Sequence, residues 1–182
     1  IVHEWGHYFE ENMSRSDSPG GPHGRGDVLD PRIAFGEAWG TAVAAMVLPE
    51  TMYTDSLWSG STLYAWGYDA ETSVTRAPQP AGPIGQDVGE NMITEVLWDI
   101  GDAPGGDDDQ VAGDHLVVER VQPAYLRASA LRQVGEGGVD LVDFLDGYFV
   151  AAGLSTCAAV RQIGVATHTF PYDFGGPAGP GP

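Results

Sequence analysis

The chain has 182 residues, of which 42% are hydrophobic, and it carries a formal net charge of −18 with a pI of about 4.2. This length suits one domain, and the apolar content excludes a wholly disordered chain. The excess of carboxylates repels nucleic-acid phosphates and anionic membrane surfaces, so we expect neither as a partner. Cys157 is the only cysteine, which excludes an intrachain disulfide and a zinc cluster built on thiolates.

The first predicted element is a helix over residues 1–13. Val2, Trp5 and Phe9 have helical spacing and predict an apolar stripe, with His3 and His7 on the neighbouring face. The segment 14–27 that follows is rich in Gly, Pro and Ser, which predicts a loop. Because this helix begins almost at the first residue, we expect the chain to be a fragment of a longer protein or a processed form.

A second helix is predicted over residues 31–48. Asp30 is a good N-cap, Pro31 suits the first helical position and Pro49 ends the segment. The predicted packing face of this helix contains five residues: Phe35, Ala38, Trp39, Ala42 and Met46.

The remaining sequence predicts further helices separated by long loops, so we expect a mainly α fold. A surface segment over 50–84 can hold strands and includes a loop at 76–83, and a helix is predicted over 86–100. An acidic Gly-rich loop over 102–114 leads to a partly helical stretch over 115–134 that is interrupted near Pro123. The last elements are a helix over 139–153, a short helix over 155–166 capped by Ser155, and a Gly/Pro-rich tail over 171–182.

The opening segment IVHEWGHYFEENM contains the metal motif H-E-x-x-H. Residues four apart share one face of a helix, so His3 and His7 can direct both imidazoles at one ion. Glu4 can reach a water on that ion and take its proton. Zinc suits two imidazoles and a carboxylate with a fourth position open to water, although cobalt or manganese also fits these ligands. The alternative is a pair of ordinary histidines on a helix.

The third ligand is expected to be a carboxylate in apolar surroundings. The metzincin pattern H-E-x-x-H-x-x-G-x-x-H requires Gly and His where this chain has Glu10 and Met13, so that pattern is rejected. Glu37 lies within FGEAWGTAVA, where a carboxylate is costly unless it is paired or bound to a metal. We therefore predict Glu37 as the third ligand.

Taken together, HEWGH and GEAWG resemble the motifs of the thermolysin-type gluzincin metallopeptidases. The sequence is most similar to their fungalysin-like branch, whose second motif commonly reads G-E-G-W-x-D. The stretches ENMITEVLWDIGD and VDLVDFLDGYFVAAG also fit that branch. The resemblance therefore covers most of residues 1–153.

This resemblance implies a secreted zinc endopeptidase that acts on peptide or protein substrates. By motif match, His3, His7 and Glu37 are the metal ligands and Glu4 is the general base. The resemblance also implies that residues 1–170 are the helical subdomain of a zincin-like catalytic domain. From the resemblance we also expect a β-rich N-terminal half, which helps to bind substrate in that family, to lie in a part of the protein upstream of this chain.

The sequence departs from the family at Thr41, where an acidic residue usually holds a ligand histidine. A hydroxyl can accept the histidine N–H, but it polarises the ring less than a carboxylate does. This departure favours the alternative of a metal-binding or structural remnant without catalytic activity. The presence of Glu4 favours an active peptidase, because metal binding alone does not require that residue.

Peptide hydrolysis also needs a donor for the developing oxyanion, and no histidine or tyrosine has a decisive context. His23, in the loop PGGPHG, is a candidate to line the cleft, although we favour an exposed loop histidine. For the other candidates we favour roles in packing or turns: His115, His168, Tyr64 and Tyr68.

Two other sets of residues are given structural roles. Asp107, Asp108 and Asp109 offer oxygens for calcium, but they lack the EF-hand pattern, so we favour a solvated acidic loop. The residues expected to lie in the core rather than in a site are Cys157, Trp98 and Phe144.

Overall fold

The computed structural model describes residues 1–24, 27–48, 50–71, 89–102, 111, 113, 118, 121–127, 138–153 and 157–163. These residues are mostly helical, as predicted, and include one antiparallel pair of strands. The elements are α1 (Val2–Met13), α2 (Pro31–Val47), β1 (Met52–Ser59), β2 (Thr62–Asp69), α3 (Glu90–Gly101), a π-helical turn (Gln122–Leu126), α4 (Leu141–Ala152) and α5 (Cys157–Arg161). None of these helices is both long enough and apolar enough to cross a membrane.

Helix α2 lies at the centre of the core. It begins as predicted, because the Asp30 side chain accepts a hydrogen bond from the backbone N–H of Arg32 and Pro31 occupies the first turn. Of its 17 residues, 13 are buried, so neighbouring elements cover almost the whole helix. All five residues of the predicted packing face are among the buried ones, and that prediction is confirmed.

Helix α1 packs on α2 through only part of the predicted apolar stripe. Its buried residues are Gly6 and Glu10, whereas Trp5, at the centre of the predicted apolar stripe, is 53% exposed. Val2 and Phe9 of the predicted stripe are partly buried, and Phe9 packs against the core beside Trp39, so the stripe is covered only in part. Gly6, which has no side chain, lets the backbone of α1 approach Gly40 of α2.

Strands β1 and β2 form a hairpin on the surface, which confirms that the segment after α2 holds strands. The register pairs Met52 with Asp69 and Ser59 with Thr62, and Gly60 in the turn has a φ of 61°. The hairpin carries several large apolar side chains that are exposed to solvent: Leu57, Trp58, Leu63, Tyr64 and Trp66.

Helix α3 packs along α2 and is buried over most of its length. It begins at Glu90 rather than at residue 86, because Gly89 has an extended backbone and forms the N-cap. The π-helical turn Gln122–Leu126 contains Pro123, near the predicted interruption. The large apolar residues of α3 are buried in the core: Met92, Ile93, Val96, Leu97, Trp98 and Ile100.

Helix α4 confirms the prediction for residues 139–153. A capping box fixes its start, since Asp140 accepts backbone N–H groups of the first turn and Asp143 accepts the backbone N–H of Asp140. The helix ends at Gly153, whose φ of 88° favours glycine.

The three residues predicted to lie in the core do contact it. Phe144 is fully buried and Trp98 nearly so, while Cys157 of α5 is partly buried and packs against the same cluster. Several other predicted features lie outside the described residues: the loop at 76–83, Asp107, Asp108, Asp109, His115, the Ser155 cap, His168 and the tail at 171–182.

Candidate metal centre

Three side chains from α1 and α2 converge, and they are the three predicted ligands. The Nε2 atoms of His3 and His7 lie 2.9 Å apart, and they lie 3.3 and 3.4 Å, respectively, from Glu37 Oε2. One candidate ligand atom from each residue lies within 4.8 Å of the other two. Zinc bonds of about 2.0–2.1 Å in a tetrahedral site place neighbouring ligand atoms roughly 3.3 Å apart. The separations and the donor types therefore fit a zinc ion.

Close contact between the two helix backbones positions these ligands. A Cβ atom on Gly6 would lie 2.9 Å from Gly40 Cα, and a Cβ atom on Gly40 would lie 3.0 Å from the His3 ring. The first distance is shorter than real Cβ contacts, and the second is tight enough that the His3 ring would have to shift, so the crossing favours glycine on each helix. His3 and His7, one turn apart on α1, thereby face Glu37 on α2.

The charge on Glu37 suits metal binding. Burial acts to raise the pKa of this carboxyl, but hydrogen bonds from His3 and His7 outweigh it and hold the pKa well below its ordinary value. The hydrogen bond to Glu37 raises the pKa of His7, although burial opposes that rise. Glu37 is thus an ionised carboxylate, which is the form that coordinates a cation.

His23 approaches the same carboxylate from the loop between α1 and α2. Its Nε2 lies 3.2 Å from Glu37 Oε2, and its Nδ1 lies 3.1 Å from the backbone oxygen of Gly21. It is an exposed loop residue, as we favoured, yet its ring contacts the site. Unlike the three predicted ligands, His23 does not belong to the set of atoms that all lie within 4.8 Å of one another. His23 therefore contacts Glu37 but lies outside the candidate set of metal ligands.

Thr41 and Glu90 lie behind His3. Thr41 Oγ1 is 3.1 Å from His3 Nδ1, the contact that the sequence suggested for this hydroxyl. Thr41 Oγ1 is also 3.4 Å from Glu90 Oε1, and burial raises the pKa of the Glu90 carboxyl while the charge of His23 opposes the rise. Sequence reasoning missed Glu90. The one available signal was a carboxylate at the start of an apolar helix.

Glu4 lies on the solvent side of α1 and is exposed. It is close enough to His7 for its negative charge to raise the pKa of that imidazole. Within the described part of the chain, Glu4 makes no hydrogen bond or ion pair. Its carboxylate is accordingly accessible to water on the surface of α1.

The tyrosine that approaches the ligands is Tyr53, which the sequence did not single out. Its ring centre lies 6.0 Å from that of His3, and its hydroxyl donates a hydrogen bond to Asp55. Tyr64, one of the predicted candidates, is 56% exposed on β2. Tyr68 pairs with Tyr53 through the hairpin backbone.

A cavity of about 270 Å³ opens beside His3. It lies between the start of α1, the end of α2 and strand β1, and Glu50 and Asp55 supply carboxylates to its wall. The rest of its wall is largely apolar and includes Val2, Ala44, Leu48, Met52 and Tyr53.

Comparison with known proteins identifies no relative of this chain. No protein-family model matches the chain, and neither a curated protein nor a solved structure is similar to it.

Proposed function

We propose that this chain is the helical catalytic part of a secreted zinc metallopeptidase of the gluzincin type. The observation that carries the proposal is the convergence of His3, His7 and Glu37, with donor atoms close enough together for one metal ion. The fungalysin-like motifs supply the peptidase class and the secreted location.

In this proposal His3, His7 and Glu37 hold the ion and leave one position open towards solvent. Bound zinc supplies Lewis acidity, which polarises a peptide carbonyl and lowers the pKa of water towards ~7. Glu4, exposed beside His7, accepts a proton from the attacking water. Glu4 then returns this proton to the amine that leaves the cleaved peptide bond.

The cavity beside His3 gives this site a place for a substrate side chain. Its apolar wall borders a ligand residue, and binding sites commonly combine such walls with a few polar groups. An apolar side chain next to the scissile bond is therefore the substrate feature that we propose it accepts. Specificity of this kind would appear as a loss of cleavage when that side chain is replaced by a charged one.

A remnant that binds metal without catalysis is the second candidate. It is favoured by the scarcity of oxyanion donors, since among the described residues His23 alone adds an imidazole beside the three ligands. In this alternative the same three ligands bind zinc, but Glu4 has no role. The two candidates therefore differ in what a change at Glu4 does.

The test compares Glu4→Gln with Glu11→Gln, a matched change at another exposed carboxylate of α1. Both variants and the wild type are loaded with zinc, checked by elemental analysis and assayed on fluorescently labelled casein. We expect equal zinc contents, an activity loss of about 10²- to 10⁴-fold for E4Q and little change for E11Q. Activity that survives in E4Q rejects the mechanism, and a zinc-loaded wild type without activity favours the remnant.

A further inference from the structure

A polar chain of three residues links the candidate metal centre to α3. His3 Nδ1 lies 3.1 Å from Thr41 Oγ1, and Thr41 Oγ1 lies 3.4 Å from Glu90 Oε1. The three residues come from α1, α2 and α3. We propose that Glu90 is a positioning residue that orients and polarises His3 through the Thr41 hydroxyl. This inference rests on the zinc site of the proposed function.

The direction of each hydrogen bond follows from the chemistry of the groups. When His3 binds a cation through Nε2, its proton lies on Nδ1, which donates it to Thr41 Oγ1. The hydroxyl has one proton of its own and donates it to Glu90 Oε1. The carboxylate polarises the hydroxyl, and this makes the hydroxyl a stronger acceptor for the His3 N–H. Glu90 thus supplies, through the Thr41 hydroxyl, the negative charge that Thr41 itself lacks.

Burial makes this arrangement more than a surface contact. Thr41 has no solvent-exposed area, so its hydroxyl depends on protein partners, and Glu90 provides its acceptor. Metal-binding histidines usually donate their second N–H to a carboxylate, a carbonyl or water, and loss of that partner costs about 10- to 100-fold in metal affinity or activity. Because Glu90 acts through the Thr41 hydroxyl, across a long hydrogen bond of 3.4 Å, we expect its loss to weaken zinc binding by about tenfold, the lower end of this range.

The test measures zinc dissociation constants by competition with a chelator of known affinity. We expect Glu90→Gln and Thr41→Val each to weaken zinc binding by about tenfold. In the Thr41→Val background, Glu90→Gln should change the zinc dissociation constant by no more than about twofold, because the hydrogen-bonded link between His3 and Glu90 is already broken. Glu50→Gln is the matched control, since it removes a carboxylate from the cavity wall beside His3 but leaves the chain intact.

A second readout separates polarisation of His3 from a general change in structure. In zinc-loaded protein, the NMR signal of the His3 Nδ1 proton should shift upfield in Glu90→Gln and stay in place in Glu50→Gln. Thr41→Ser keeps the hydroxyl, so it should retain both the zinc affinity and the sensitivity to Glu90→Gln. This rescue guards against the case in which Thr41→Val merely fails to fold.

The outcomes distinguish this inference from the proposed function. A wild type that does not bind zinc overturns both. A wild type that binds zinc, with Glu90→Gln within about twofold of it, overturns the role of Glu90 alone. Losses that multiply in the double variant overturn the link through Thr41, because Glu90 would then act independently of the hydroxyl.

Discussion

Helices α1 and α2 both carry predicted zinc ligands, yet the protein holds them in different ways. Helix α2 is capped by Asp30 and buried along 13 of its 17 residues, so the core fixes Glu37. Helix α1 has no side-chain N-cap and buries only Gly6 and Glu10, although His3, His7 and Phe9 are partly buried. One predicted ligand therefore lies on a core helix, and the other two lie on a helix at the surface.

This difference indicates what each half of the metal centre depends on. The position of Glu37 follows from the hydrophobic packing of α2, which exists with or without a metal ion. The positions of His3 and His7 depend on the close backbone crossing at Gly6 and Gly40. Metal binding should consequently stabilise α1 more than α2.

The largest expected effect tests the packing of α2 against that of α1. Phe35→Ala should lower the free energy of unfolding by about 3–5 kcal/mol, because the ring is fully buried and its loss leaves a cavity. Trp5→Ala should change it by no more than about 0.5 kcal/mol, because that ring is mostly exposed. Urea unfolding monitored by circular dichroism gives both values. Equal losses for the two variants would contradict the contrast between the helices.

The next effect tests whether the metal holds α1 in place. Free zinc at about 100 times its dissociation constant should stabilise the protein by about 2.7 kcal/mol, because zinc binds the folded state. Calorimetry should show a corresponding rise in Tm that EDTA reverses. Glu37→Ala is the control and should lose the rise. Zinc should slow amide hydrogen exchange mainly in α1. Equal slowing in α2 would contradict the proposal that the metal stabilises α1 more than α2.

A pH dependence tests the buried carboxyl of α1. Burial raises the pKa of Glu10 to about 7 from its ordinary 4.5, although the charge of His7 opposes this. Because the folded state holds this proton more tightly than the unfolded state, the stability contributed is full below about pH 4.5 and lost as pH rises through about 7. The loss is on the order of 3 kcal/mol.

Glu10→Gln should remove that part of the pH dependence in metal-free protein. The variant should match the wild type near pH 4.5 and exceed it in stability at pH 8, as measured by urea unfolding across the range. Glu11→Gln, at the exposed neighbouring position, should keep most of the wild-type slope, because the charge of Glu11 contributes less than burial to the raised pKa of Glu10. An unchanged slope in Glu10→Gln would show that this carboxyl titrates normally in the folded protein.

The smallest effect tests the helix crossing itself. Gly40→Ala should weaken zinc binding by about tenfold, or about 1.4 kcal/mol, because the added methyl group lies 3.0 Å from His3 and displaces its ring. Gly36→Ala, one turn earlier on α2, is the matched control, since its methyl group would lie 3.4 Å from Glu10 in ordinary contact. Zinc titrations of both variants give the comparison. Equal affinities would mean that the glycine contact does not position His3.

The sequence predicted the fold best where local signals act alone. Asp30, Pro31 and the apolar positions of α2 predicted that helix correctly, and Asp140 and Gly153 bound α4 as capping rules suggest. The packing of α1 was predicted only in part, because hydrophobic spacing indicated the stripe with Phe9 but not the close contact at Gly6. A glycine contact between backbones leaves no hydrophobic signal in the sequence.

The candidate site was predictable only in part. His3 and His7 follow from their spacing, and Glu37 follows from a carboxylate in apolar surroundings, so the three are brought together as expected. Glu90 and Tyr53 could not be found in this way, because each reaches the site through tertiary packing of α3 or β1 against α2.

The most direct test of this account is the zinc content of purified wild type and of Glu37→Ala, measured by elemental analysis after zinc loading and removal of excess metal. The account predicts about one zinc ion per wild-type chain, one being the number that a single three-ligand site holds. It predicts loss of that ion in the variant, with the fold retained by circular dichroism. A wild type that takes up no zinc, or a Glu37→Ala variant that binds zinc as tightly as the wild type, would contradict the central claim that these three side chains form a metal centre.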